Sequence, residues 1–204
     1  MAGRPPGGPP RRSLNILDRP LPKTRQEVPT VSLSAFAFLT SEILQYTMDN
    51  ASSTSDLDER LDRIGFEVGT RQLELLSWRA DRQPRRRPEV LDALRFVHSV
   101  AWPHLFSKTA DDLQQAAAAD DEYMISDSNL PTIRFVSVPK SYGAFNPGAL
   151  VAGIVRGLLD AAGFPARVSA HFVEQRDGRG KATTTFLIKF DASVMAREAL
   201  LKRR

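Results

Sequence analysis

Two glycine pairs dominate the reading of this chain: Gly65 with Gly69, in the stretch Leu61 to Arg71, and Gly153 with Gly157, in the stretch Gly153 to Leu159. Both stretches otherwise have helical character, and a glycine inside a helix costs up to about 1 kcal/mol relative to alanine. Glycines four residues apart share one helix face. Their presence therefore predicts close packing against another backbone, so Gly65, Gly69, Gly153 and Gly157 are expected to be close-packing glycines.

The 204 residues, 42% of them hydrophobic, suffice for one well-packed domain. Residues 1 to 28 are rich in Pro, Gly and Arg and offer little to bury, which predicts a flexible basic tail ahead of a single domain over residues 29 to 204. The tail holds Arg4, Arg11, Arg12, Arg19, Lys23 and Arg25 against Asp18 and Glu27, which accounts for the whole net charge of +4. The remaining 22 basic and 22 acidic residues cancel, so no basic stripe points to nucleic acid. The absence of cysteine excludes disulfides, thiolate catalysis and sulfur-based zinc sites. No apolar run reaches the roughly 18 residues that span a bilayer, and the first residues lack the apolar core of a secretion signal and the glycine of a myristoylation site. The expectation is a soluble cytoplasmic protein.

Hydrophobic periodicity gives the element order. Ser32 is a candidate N-cap for a first helix with Phe36, Leu39, Ile43 and Tyr46 at helical spacing, ending in Asp49 to Ser53. Ser55 and Asp58 resemble a capping box for a second helix carrying Leu57, Leu61, Ile64, Val68 and Leu75, running to Trp78. A basic loop, Arg82 to Pro88, precedes a third helix with Leu91, Leu94, Val97 and Ala101, which Pro103 stops or kinks. Thr109 and Asp112 start a fourth, ending between Ala116 and Asp121.

The period then changes to two. Tyr123 to Ser126 and Thr132 to Val138 read as paired strands; Asn146, Pro147, Gly163 and Pro165 bracket a helix; Ala166 to Gln175 and Thr183 to Phe190 read as strands joined by Asp177 to Gly180; and Asp191 to Lys202 closes the chain as a helix. Four helices followed by strand, strand, helix, strand, strand, helix describe an α+β fold, with N-terminal helices packed on one face of a four-stranded antiparallel sheet.

Catalytic and ligand motifs fail on inspection. Gly143 to Gly148 has the glycine spacing of a phosphate loop, but Ala149 and Leu150 stand where Lys and Ser or Thr are required, and Pro147 removes one N–H. Ser137 and Lys140 have Ser-x-x-Lys spacing without the Lys-Thr-Gly that accompanies it in serine acyl enzymes. His98, His104 and His171 are not spaced for a helical metal site. The expectation is no catalytic residue, no cofactor and no metal, in a protein that works through its surfaces.

The two glycine stretches, taken together, resemble the Bet-three-like family of small subunits of TRAPP, the transport protein particle of vesicle traffic. Leu61, Asp62, Gly65, Phe66, Val68, Gly69 and Arg71 are similar to the family's second helix, and Gly153, Ile154, Val155, Arg156, Gly157 and Leu159 to the helix crossing its sheet. Further likeness lies in Val31 to Leu39, Phe135 to Lys140, Ala162 to His171 and Thr185 to Phe190, and the whole spans about Asn15 to Arg204. The resemblance implies helices on one side of a twisted four-stranded antiparallel sheet. It implies a non-catalytic core subunit that pairs through its first two helices with another small TRAPP subunit. That assembly tethers vesicles and acts as a guanine-nucleotide exchange factor for a Rab-family GTPase in ER-to-Golgi and Golgi traffic, peripheral to those membranes.

On this basis Phe36, Phe38, Leu39, Ile43, Leu57, Leu61 and Ile64 are expected at the partner interface. Some family members hold a fatty acyl chain on a cysteine inside a hydrophobic channel, an attachment this cysteine-free chain cannot copy. A small-molecule or lipid-binding module of the same fold is the alternative function, and a hydrolase using Ser137 and Lys140 a distant third.

Overall fold

A computed structural model describes residues 31–80, 89–117, 119–174 and 182–202. The N-terminal tail, the loop Arg82 to Pro88 and the turn Asp177 to Gly180 lie outside the described residues. Helix α1 spans Leu33–Asn50, and its N-cap Ser32 accepts a hydrogen bond at Oγ from the Ala35 N–H at 3.1 Å. Helix α2 spans Thr54–Ala80. Its N-terminal box sits two residues ahead of the expected Ser55 and Asp58: Ser53 Oγ accepts from the Asp56 N–H at 3.2 Å, and Asp56 Oδ2 accepts from the Ser52 N–H at 2.8 Å. Hydrogen bonding from Arg60, and then from the Ser52 backbone, holds the Asp56 carboxyl down to about 2, so this cap stays ionised throughout the physiological pH range.

Helices α3, Val90–Phe96, and α4, Trp102–Phe106, are joined by a π-helical turn over Val97–Ala101. Pro103 does not stop this segment, because the widened turn absorbs the missing N–H. Register also shifts: Val90, Ala93 and Leu94 face the core while Leu91 is exposed. The segment ends at Ser107, whose left-handed backbone (φ 59°) lets its N–H reach the Pro103 carbonyl at 3.0 Å. The N-cap residue Glu89 supplies no side-chain cap; instead Glu198 Oε2, on the last helix, accepts from the Val90 N–H at 3.1 Å.

The expected fourth helix from Asp112 is strand β1, Asp112–Gln115, and it pairs antiparallel with β2, Glu122–Asp127, from Asp112 opposite Ser126 to Gln115 opposite Tyr123. The expected strand Thr132 to Val138 is a run of turns, closed by Ile133 and Arg134 N–H groups on the Leu130 carbonyl and by Val136 on Ile133. Helix α5, Ala149–Ala161, begins after Asn146, whose Oδ1 accepts from the Gly148 N–H at 2.7 Å. It ends at Gly163, φ +81°, with the Phe164 N–H on the Leu159 carbonyl at 2.8 Å.

Strands β3, Ala166–Glu174, and β4, Ala182–Phe190, pair antiparallel without a bulge, and helix α6 covers Ala192–Leu201. The sheet order is β1-β2-β4-β3, so β4 runs between its neighbours and β3 is an edge. Period two places Ile125, Val168, Phe186, Ile188 and Phe190 on one face, where they join Val90, Leu94, Trp102, Val151, Val155, Leu159 and Val194 in the main core. Helix α5 lies between the sheet and α2, which explains why it is buried almost all round. The fold is α+β, with its helices on one face of an antiparallel sheet.

Candidate functional site

The two glycine motifs meet each other. A Cβ added at Gly65 would lie 2.1 Å from the Leu150 carbonyl oxygen, and one at Gly69 would lie 2.1 Å from that of Ile154. In return, one at Gly153 would lie 2.1 Å from the Asp62 carbonyl oxygen and one at Gly157 2.3 Å from that of Phe66. Helices α2 and α5 thus cross backbone against backbone, each lending its carbonyls to the other's glycines.

Side chains of the same motifs lock the crossing. Arg156 donates through Nε to Asp62 Oδ1 at 3.2 Å and through Nη2 to Oδ2, a two-pronged ion pair. Its guanidinium carbon sits 4.3 Å from the centroid of the Phe66 ring. The motif residues Asp62, Gly65, Phe66 and Gly69 on one helix and Gly153, Arg156 and Gly157 on the other are therefore a structural joint inside the chain.

Helix α1 packs Ile43 and Leu44 inward yet leaves a second apolar strip outside. The residues it buries are Thr40 and Thr47, whose hydroxyls donate back to the Ala37 and Ile43 carbonyls. Its outward residues are apolar: Phe38 is 77% exposed, Leu39 58% and Tyr46 67%. Phe36 and Ile43 are half-buried, as is Ile64 on α2. Leu57 and Leu61 stand differently from the expectation that placed them at a partner interface. At 2% and 1% exposure they are packed inside the chain against Phe145, Ala149 and Leu150, with Ile43, Leu44 and Ile64 at the margin. The α2 leucines at 57 and 61 are used up by the chain's own fold, whereas α1 carries more exposed large apolar side chains than any other described helix, Leu33, Phe38, Leu39, Tyr46 and Met48.

Beside α1, a groove of about 340 Å³ runs between Phe38 and Phe135, the latter on the turn that replaces the expected strand. Phe135 is 66% exposed, while Ile133, two residues earlier, is half-buried. A cavity of about 540 Å³ lies between α2, α3, α5 and α6, lined by Leu73, Ala93, Phe96, Val97, Leu158 and Phe164, with Arg197 at its side and stacked on Phe164.

The reactive-looking residues are scattered. Ser137 and Lys140 are both exposed, Ser137 outside any helix or strand and Lys140 in a single 3-10 turn. Gly148, second glycine of the phosphate-loop spacing, is buried against Asn146, Ala170 and Thr184 and has no room for an anion. His171 pairs with Ser169 at 2.8 Å on the surface of β3. Among the described residues no group of three metal-ligating side chains converges, and no helix is long and apolar enough to cross a membrane.

A family model described as Transport protein particle (TRAPP) component matches residues 36–191. The chain is 43% identical over 186 residues to Trafficking protein particle complex subunit 5 of Dictyostelium discoideum, covering 91% of this chain and 97% of that protein. It is 38% identical over 189 residues to the subunit 5 of Homo sapiens, covering 93% and 94%. Subunit 31 of Saccharomyces cerevisiae matches at 29% identity over 86% of this chain and 80% of its own length. In fold, the chain is similar to a crystal structure of trafficking protein particle complex subunit 3 from Naegleria fowleri covalently bound to palmitic acid, with a TM-score of 0.65 and 13% identity over 78% of this chain and 95% of that one. With its paired glycine motifs, its α+β architecture and this similarity along nearly its whole length, the chain belongs to the family of TRAPP components and is most similar, among these relatives, to those called subunit 5.

Proposed function

We propose that this chain is a non-catalytic core subunit of TRAPP that binds another small TRAPP subunit through the outer face of α1. One observation carries the reading: α1 turns threonines inward and Phe38, Leu39 and Tyr46 outward. An amphipathic helix in a monomer does the reverse. Aromatic anchors on a helix face are also the side chains that dominate protein interfaces. The relatives are named as subunits of a complex, which supports a partner of that kind. In this reading the chain holds its neighbours in place for a guanine-nucleotide exchange factor acting on a Rab-family GTPase in ER-to-Golgi and Golgi traffic. It reaches the membrane surface through the assembly.

The double variant Phe38→Glu with Leu39→Glu tests this. Both sites are solvent-exposed in the free chain, so its unfolding free energy is expected to change by no more than about 0.5 kcal/mol, as is typical of surface changes. Co-purification with the other small TRAPP subunits is expected to weaken by roughly a hundredfold or more, the loss of two interface anchors. Undiminished co-purification would remove α1 as the docking helix, and exchange activity by the isolated chain would end the scaffold reading.

The apolar cavity favours a second reading, an apolar-ligand module. It has the lining and size of a ligand site, and a structure of similar fold is described with palmitic acid attached. Without cysteine any occupant here is held non-covalently. Native mass spectrometry of gently released protein decides: a stoichiometric lipid adduct supports the module, and the bare mass dismisses it.

A further inference from the structure

The sheet has two edges that differ in kind. At one, β1 is four residues long and carries Asp112, Gln114 and Gln115, a short polar strand of the type that natural sheets use to discourage pairing. At the other, β3 is nine residues long, pairs with β4 one for one without a bulge, and contains no proline. Its charged residues stand at its two ends, Arg167 and Glu174. Phe172 and Val173, near its end, are both 47% exposed. Among the described residues nothing pairs with the outer side of β3, so its outward N–H and C=O groups form a template for another strand.

Charge along one cross-strand row says what that strand carries. On the face away from the helices, Glu122 of β2 stands opposite Lys189 of β4, and Lys189 stands opposite Arg167 of β3. Lys189 is satisfied by Glu122 at 2.7 Å and approached by Asp121 at 3.8 Å. Arg167 then faces a like charge directly across the strand pair, an unfavourable placement, and makes no ion pair among the described residues. A cleft of about 410 Å³ opens beside it, bounded by Ala166, Val168, Asp191, and the Asp62–Arg156 pair whose charges already answer each other. Asp191 does not come within ion-pair distance of Arg167. The row reads acid, base, base, with the next place empty.

We propose that the outer edge of β3 takes up an extended segment of another TRAPP subunit, one that places a carboxylate in register with Arg167. The site is separate from the α1 face, and it rests on the reading of this chain as an assembly subunit. A second copy of the same chain fits poorly, since antiparallel self-pairing centred on Ala170 sets Arg167 opposite Val173 rather than an acid.

Hydrogen–deuterium exchange on the full chain, free and mixed with purified small TRAPP subunits, tests the proposal. In the complex, the β3 amides that point away from β4 are expected to exchange at least about tenfold more slowly. Arg167→Glu is expected to weaken assembly roughly tenfold, turning an attraction into a repulsion. The same change leaves the free chain's melting temperature unchanged or raised, because the introduced carboxylate faces Lys189. A complex that protects α1 but leaves β3 exchanging at its free rate overturns the edge proposal alone. Failure to form any complex overturns both this proposal and the α1 reading. Protection of β3 with undiminished binding by R167E removes the carboxylate, and a free chain that dimerises through β3 in sedimentation overturns the choice of partner.

Discussion

Gly153→Ala is expected to destabilise this protein by about 3 kcal/mol or more, at the upper end of what overpacking a close-packed site costs. In an isolated helix the same change would help by up to about 1 kcal/mol, since alanine is the better helix former. The sign reverses here because the new methyl would stand 2.1 Å from the Asp62 carbonyl oxygen and 2.8 Å from the Asp62 carbonyl and α carbons. These are backbone atoms of a helix, and no rotamer change moves them. Relief requires α2 and α5 to separate, which would stretch the Arg156–Asp62 ion pair and loosen the layer beneath α2. Gly163→Ala provides the comparison. Its φ of +81° makes alanine strained by about 1–2 kcal/mol, but nothing lies within 4 Å of the added atom. Urea denaturation of both variants should therefore place Gly153→Ala clearly below Gly163→Ala. Equal midpoints would show that the glycines serve backbone conformation and not the helix crossing.

Asp127→Ala is expected to cost about 3–5 kcal/mol, the range for removing one member of a buried charged network. The Asp127 side chain is fully buried. Its Oδ2 accepts from Trp102 Nε1 at 2.9 Å, and its Oδ1 accepts from Lys108 Nζ at 2.5 Å and from the Asn129 N–H at 2.8 Å. All three partners are donors, so both oxygens must be acceptors. Asp127→Asn keeps the shape yet turns an N–H toward either Trp102 or the Lys108 and Asn129 pair, and is expected to cost about 1–3 kcal/mol, the penalty for leaving a buried donor unpaired. Lys108 is partly exposed and keeps some water, which makes the Trp102 bond the less replaceable of the two. Trp102 also meets Phe106 and Phe186 edge to face, at 5.2 and 5.5 Å, so this one carboxylate ties the α3–α4 segment to the middle of the sheet. Thermal melts followed by tryptophan fluorescence will rank the variants. A fully stable Asp127→Asn would mean that the carboxylate is not required as a double acceptor.

The parts of the fold legible in sequence are those fixed by local chemistry. Asn146, Gly163 and Pro165 bracket α5 because capping and left-handed backbone are decided within a few residues. β3 and β4 show their period because one face of each is buried. Asp112–Gln115 is different. Thr109 and Asp112 look like the start of a helix, and only pairing with β2, beyond a polar stretch, makes four residues a strand. Thr132 to Val138 fails in the opposite way. It alternates like a strand, but β2 is already flanked by β1 and β4 and offers no free edge.

The candidate surface was legible in kind and blurred in detail. Periodicity identifies Leu57, Leu61 and Phe38 alike as apolar residues on helices. It cannot say whether the covering atoms belong to the same chain, and for Leu57 and Leu61 they do, through Phe145 and Leu150 on distant sequence. What separates Phe38 is a pattern visible beforehand: threonines at positions 40 and 47 on the opposite side of the helix, with Leu39 on its flank. Arg167 carried no sequence signal at all, because its isolation depends on which strand lies beside which.

The carboxylate of Glu198 on the first N–H of α3 spans 108 positions of sequence. A chain leaving the ribosome has exposed α3 long before the residue that completes its N-terminus has been made. The α2–α5 crossing is delayed in the same way, since α2 waits for the glycines at 153 and 157. Synthesis therefore closes the two joints in turn, α2 on α5 first and α3 on α6 later, and a ribosome stalled between them would display the N-terminus and apolar face of α3 to whatever binds them first.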